Sequence, residues 1–346
     1  MKNKINKNVI ITLILLFSFI QCASLLDDKY QEGDFFYLEN KGAVMPVWVK
    51  GNQSSGVYVI FLHGGPGNSS DTYSTAHAYN ELGKKYAFVF WDQRASGASQ
   101  GNPDLNTFTL AQFADDTKKI VNLIRHMYKP NALFLVGKSW GGAIGSYYLS
   151  DPQNQQLVNG WIEIDGAHNL KDGIPLSWEW AKDNARKRIA AGDEVEFWQE
   201  EIAWYNSKPA NIDTDYFMRH GSNLNKLNGI YKNPALDPGD TVGLFAPVPF
   251  FFYQLNAYYL NNDNQFDIKN IKLNSLMANI QIPSMVLWGR HDGTLPVELA
   301  QDAYDALGTP VADKSLYIFE NSAHCPSFEE TSLFILKMQE FIELYR

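Results

Sequence analysis

The stretch Ala132-Leu133-Phe134-Leu135-Val136-Gly137-Lys138-Ser139-Trp140-Gly141-Gly142-Ala143 decides the fold. Its first five residues form a short, continuous apolar run, which reads as a strand buried on both faces. The run enters Gly137-Lys138-Ser139-Trp140-Gly141, a G-x-S-x-G pattern, and Ala143 to Leu149 continues with helical character. A serine on such a strand-to-helix turn is held on a strained backbone at the carboxyl end of a sheet, and the glycines relieve crowding around it. The pattern alone is short enough to be an incidental tight turn. Its flanking strand and helix make Ser139 a candidate nucleophile.

The same kind of apolar run recurs on both sides. Gly56 to Leu62 (GVYVIFL), Tyr86 to Trp91 (YAFVFW), Val158 to Ile164, Ser284 to Trp288 and Leu316 to Phe319 all read as buried strands. Phe35 to Tyr37 and Val44 to Lys50 are two earlier ones. Between them, Leu110, Phe113, Ile120, Leu123 and Ile124 share a face of a helix that Pro130 stops, and Thr331 to Tyr345 is a closing amphipathic helix. Apolar strands alternating with helices predict an α/β fold with a mostly parallel central sheet and helices on both faces. From about Gly166 to Ala278 the alternation stops and Trp, Tyr, Phe and Asn accumulate. The sheet pattern then resumes, which favours an insertion over a second domain. The expected division is a core of residues 35–165 and 279–346, with a mainly helical cap, 166–278, inserted into it.

A serine hydroxyl needs a base, and the base needs an orienting acid, in the chain order Ser, acid, His. His324, in the loop after the last strand, is the best-placed of seven histidines. Asp292 follows the strand SMVLW and can reach that loop; Asp165, at the end of the strand before the insertion, is its rival. A developing oxyanion needs backbone donors. The segment His63-Gly64-Gly65-Pro66-Gly67 follows the strand VIFL, and its glycines let the main chain approach a substrate. The N–H groups of Gly65 and Trp140 are assigned to that role. Arg94 and Asp92 are expected to form an internal ion pair bracing a neighbouring loop. The Trp140 side chain either floors an acyl pocket or packs at the helix start. Trp178, Trp180, Trp198, Trp204, Phe250, Phe251, Phe252 and Tyr253 either line an apolar pocket or fill the cap's core. Cys325 is a small buried filler. No metal-ligand spacing and no phosphate loop is present, so neither a metal nor another cofactor is expected.

Taken together, HGGPG (63–67), WDQRASGAS (91–99), GKSWGG (137–142), WGRHDG (288–293) and SAH (322–324) resemble the proline iminopeptidase branch of the α/β-hydrolases. The resemblance implies Ser139, Asp292 and His324 as the triad, Gly65 and Trp140 as oxyanion donors, and release of an N-terminal residue, typically proline, from peptides. The sequence departs from that pattern at Ala95 and Lys138, where glycine is usual. It also carries Asn256, in Leu255-Asn256-Ala257-Tyr258-Tyr259, where an amine-binding carboxylate is usual. Glu179, Glu196, Glu200 and Glu201 are substitutes, with Glu179 and Trp140 taken as substrate-binding candidates. A carboxylesterase or lipase-like hydrolase of small esters is the alternative activity. A non-catalytic surface binding protein is a third reading, and the complete triad weighs against it.

The chain has 346 residues, 45% hydrophobic and 19% charged, with a net charge of -9. A core of useful size is available. No concentrated basic face exists for nucleic acid. Lys2, Lys4 and Lys7 precede an apolar run, Val9 to Ile20, too short for a comfortable membrane span. Residues 1–21 are therefore expected to be an export signal and 22–34 a tether, placing the protein in the cell envelope or periplasm. Cleavage after Ser24 would release it, whereas cleavage before Cys22 would leave a lipid anchor on that residue. In either case Cys325 has no disulfide partner.

Overall fold

Each apolar run becomes a strand of one sheet: β1 (Asp34–Asn40), β2 (Ala43–Gly51), β3 (Val57–Leu62), β4 (Ala87–Trp91), β5 (Gln100–Gly101), β6 (Ala132–Lys138), β7 (Gly160–Ile164), β8 (Ser284–Gly289) and β9 (Lys314–Phe319). The strands lie in the order β1-β2-β4-β3-β6-β7-β8-β9, with β5 paired to β2. The computed structural model describes residues 33–212, 215–237 and 268–346. The expected leader, Cys22, Asn256 and Phe250 to Tyr253 lie outside them. β1 and β2 pair antiparallel, as do β2 and β4; β4, β3, β6, β7, β8 and β9 run parallel. β3, β4, β6, β7 and β8 are buried along their whole length, as a sheet covered on both faces requires.

Alternation along each strand feeds two cores. In β6, Leu133 and Leu135 face one and Ala132, Phe134 and Val136 the other. The first core is closed by α2 (Leu110–Tyr128), α3 (Trp140–Leu149) and α7 (Glu298–Ala306), the second by α1 (His77–Gly83) and α8 (Thr331–Tyr345). The ends of α2 are chemically marked. The Thr109 side chain accepts from the Gln112 N–H at its start, and Lys129 turns left-handed at its end, before Pro130. The strand expected from Val158 begins at Gly160. Two-residue β5, α1 and α7 were not apparent from the sequence pattern.

Between β7 and β8 the insertion carries α4 (Leu170–Ala190), α5 (Val195–Asn206) and α6 (Gly221–Lys226) around a core of its own. Trp178 and Trp198 are buried in that core. Its entry is fastened to β7 and α7 by charge, and its exit to its own first helix. His168 lies between Glu163 (Nδ1 to Oε1, 2.9 Å) and Asp302 (Nε2 to Oδ2, 3.1 Å), and Asn169 also donates to Asp302. Burial alone would lower the His168 pKa, but the two carboxylates outweigh it and raise it to about 9. Lys272, where the chain leaves the cap, pairs with Asp172 of α4.

Candidate active site

Ser139 sits between β6 and α3 with φ 53° and ψ -117°, a conformation that L residues rarely adopt. Its N–H donates to Ile164 O (2.9 Å), and its carbonyl accepts from Gly142 (2.8 Å) and Ala167 (2.8 Å). The turn is thus held against β7 and the start of the cap. Gly141 is required there, since a Cβ would stand 2.0 Å from the Leu62 carbonyl oxygen.

The loop after β3 passes directly over the serine: a Cβ on Gly64 would lie 3.3 Å from Ser139 Cβ and 3.8 Å from its Oγ. His63 sets the path of this loop. Its buried Nε2 accepts from the Gln93 N–H (3.0 Å), so Nδ1–H donates to the Gly64 carbonyl (2.7 Å). The Gln93 side chain returns a bond to the His63 carbonyl (2.9 Å). Asp92 accepts from Ser69, from the N–H and hydroxyl of Ser70, and from the Ala98 N–H. Those donors replace the expected Arg94 partner. Arg94 instead forms a two-point pair with Asp116 (2.6 and 2.8 Å), both side chains fully buried. Among the described residues nothing accepts the Gly65 N–H. Trp140 opens α3, at the electropositive end of that helix. Its indole is buried in the core, edge-on to Phe113 at 5.5 Å. The side chain therefore packs at the start of α3.

Asp292 and His324 meet. Asp292 Oδ2 lies 2.7 Å from His324 Nδ1, and Oδ1 accepts the Thr294 and Leu295 N–H groups at 2.8 and 2.9 Å. Three donors on one carboxylate place the proton on Nδ1 and leave Nε2 as the base. Burial, helped by Lys138, draws the His324 pKa down to about 3, so the ring is neutral at rest. Burial pushes the Asp292 carboxyl upward, against the pull of Lys138 and the two N–H groups.

Asp165 is close to the same imidazole but bonded elsewhere. It follows β7 in a left-handed conformation (φ 42°), accepts the Gly289 N–H at 2.8 Å, and stands 3.5 Å from Lys138 Nζ. Burial raises its pKa to about 7, with Lys138 opposing. Among the described residues, Asp165, Asp292 and His324 form the one group with metal-like convergence, their ligand atoms lying within 4.8 Å of one another. Lys138 already brings a cation against it.

The cap grips the loops that carry Asp292 and His324. Gly293 donates to the Gly229 carbonyl (2.8 Å) and His324 to the Ile230 carbonyl (3.0 Å). The Ser177 hydroxyl donates to the Gly293 carbonyl, so it accepts from His220 Nε2 (2.8 Å), and His220 Nδ1 accepts from Tyr205 (2.9 Å). Trp180 closes against Gly229 and Gly293, where a Cβ would meet its ring at 2.6 and 2.7 Å. Of the four candidate glutamates, Glu179, Glu196 and Glu200 are exposed, Glu179 pairing with Lys182. Glu201 is buried, ion-paired with Arg219, and accepts a hydrogen bond from Asn223. Glu179 is therefore a solvated face of α4 and has no described bond to the triad. Arg290 and His291 shape the loop, through Glu320 and through Lys232 with the Glu320 carbonyl. Cys325 is buried against Tyr231, and burial pushes its thiol to about 12, far from thiolate chemistry.

A family model described as the alpha/beta hydrolase fold matches residues 57–331. The chain belongs to that family. Among curated relatives it is 25% identical to a probable aminopeptidase, YbaC, of Bacillus subtilis, over 80% of this chain and 86% of the relative. It is 22% identical to a proline iminopeptidase of Saccharolobus solfataricus, over 85% and 86%. Among solved structures, a proline iminopeptidase-related protein from Thermus thermophilus superposes with a TM-score of 0.65 at 16% identity, covering 91% of this chain and 98% of that one. An esterase from Rhodococcus sp. ECU1013 superposes at 0.60 with 18% identity, over 91% and 100%. This α/β-hydrolase thus has aminopeptidase-like relatives in sequence and both peptidases and esterases as fold neighbours. Two parts of its site escaped sequence reasoning. Lys138 stood out only as a departure in the motif, and no local signal linked Ser177, His220 or Gly229 to the triad.

Proposed function

We propose that this protein is a serine hydrolase that cleaves an amide or ester bond through an acyl-enzyme. The observation that carries the reading is the Asp292–His324 pair at 2.7 Å, in an α/β-hydrolase whose Ser139 occupies the strained elbow. Ser139 Oγ attacks the substrate carbonyl while His324 Nε2 takes its proton. The same proton passes to the leaving amine or alcohol as the acyl-enzyme forms. Water, deprotonated by His324, then releases the acyl group. The Gly65 and Trp140 N–H groups receive the oxyanion charge, and Asp292 holds the imidazole.

Within this class, the relatives and the motifs HGGPG, GKSWGG and WGRHDG support removal of an N-terminal residue, as in a proline aminopeptidase. The esterase reading is favoured by a different observation: Glu179 and Glu201 are ion-paired, while Glu196 and Glu200 face solvent. An amine-binding carboxylate must then come from elsewhere. A panel of proline arylamide and short-chain aryl esters, run on wild type and Ser139→Ala, separates these. Arylamide turnover supports the peptidase; ester turnover alone moves the assignment to an esterase. Full activity in Ser139→Ala, or failure of a fluorophosphonate to label Ser139 in folded protein, would sink the hydrolase and revive a binding role. The basic start and apolar run of residues 1–21 further support export to the cell envelope, with either release by cleavage after Ser24 or lipidation of Cys22. Fractionation of wild type and Cys22→Ala tests that.

A further inference from the structure

The elbow of this protein contains a cation that the hydrolytic mechanism above does not use. Lys138 ends β6, opposite Ile164 in the register, with a side chain only 2% exposed. Its Nζ makes no hydrogen bond among the described residues and is held by charge alone, 3.5 Å from Asp165 Oδ2. Asp165 belongs to the same tight group as Asp292 and His324. A neutral catalytic imidazole therefore sits beside two buried carboxylates and one buried ammonium. Two like charges this close cannot both persist in a low-dielectric site without compensation.

The geometry points to Lys138 as a positioning residue: its ammonium balances Asp165, so that the net charge beside His324 is that of one carboxylate instead of two. Without it the cluster takes up a proton more readily, and the base is lost at higher pH. Among the described residues, the other titratable groups facing the cluster do not supply a substitute cation. Cys325, Tyr73, Tyr79 and Tyr231 are acids whose ionisation burial opposes, so they stay neutral. Glu329, which accepts the Ala323 N–H, is one more acid.

The inference rests on the hydrolase reading, and its test needs no knowledge of the substrate. The second-order rate of fluorophosphonate labelling at Ser139 is measured against pH. Labelling requires the deprotonated base, so its acidic limb reports the cluster. Lys138→Met should move that limb up by about one to two pH units, the range for a neighbouring opposite charge. Asp165→Asn should move it down. The double variant, which loses both charges, should return it to the wild-type position. A merely structural role for Lys138 would lower the plateau rate in all three without this ordered displacement. A limb that stays in place in Lys138→Met, or fails to return in the double variant, overturns the inference alone. Absence of labelling in folded wild type overturns the hydrolase reading and the inference with it.

Discussion

Gly289→Ala should disable the site without dismantling the sheet. Gly289 ends β8, and a Cβ there would lie 1.7 Å from Ala323 O, 2.7 Å from Ala323 C and 2.8 Å from Ser322 O. All three are backbone atoms, so no side chain can swing aside. To reach ordinary contact, the loop that carries His324 must retreat by more than about 1 Å. Such a misplacement of a catalytic group costs on the order of a hundredfold in rate. Overpacking of this kind costs roughly 1–3 kcal/mol of stability, which a core of this size tolerates. The assay is kcat and KM on the best panel substrate, beside the fluorophosphonate labelling rate and a thermal melt. We expect kcat and labelling to fall about a hundredfold together while KM changes little and a cooperative melt persists. A folded Gly289→Ala protein labelled at the wild-type rate would refute the placement of the histidine loop.

Other perturbations address the remaining contacts. Asp292→Asn should lower kcat about 10⁴-fold by releasing the imidazole's tautomer, with Asp165→Asn at least tenfold milder; equal losses would mean that the two carboxylates share the triad role. Asp116→Ala leaves Arg94 buried without its carboxylate and should cost about 3–5 kcal/mol in urea unfolding, with an unchanged midpoint arguing against the buried pair. Gln93→Ala frees the His63 loop and should lower kcat about tenfold or more, since one oxyanion donor is worth about 10²–10³ in rate; full kcat would show that the loop needs no brace. For pH, burial holds His220 near 3 instead of its ordinary 6.5. The unfolded chain then takes up a proton that the folded one refuses, so this contribution is complete above pH 6.5 and is lost as pH falls toward 3. Unfolding midpoints should decline less steeply over that window in His220→Gln, and parallel slopes would contradict a neutral buried ring.

The sheet was legible because its signals are local. ALFLV, GVYVIFL and SMVLW are apolar over their full length, and only strands covered on both faces bury them; Pro130 and Thr109 mark the ends of α2 in the same local way. The short elements escaped for the same reason in reverse: β5 has two residues and leaves no period to read. The elbow was legible too, since the positive φ of Ser139 and the glycines around it fall within one short run between a strand and a helix.

Apart from Asp292 and His324, partners distant in sequence were not legible. Asp92 and Arg94 stand two residues apart, yet one bonds the Ser69-Ser70 turn and the other Asp116. Trp140 follows the nucleophile, yet its indole points into the core. By itself the sequence determined the parallel sheet, the place of the insertion and the serine turn, because each follows from backbone geometry and the period of apolar residues. Only the tertiary structure decided which aspartate bonds His324, that Lys138 is buried against Asp165, and that the cap holds the loops carrying Asp292 and His324 through Gly229, Ile230 and Ser177. The physical reason is that charge and hydrogen bonding act through space, over a few ångströms that chain order does not record.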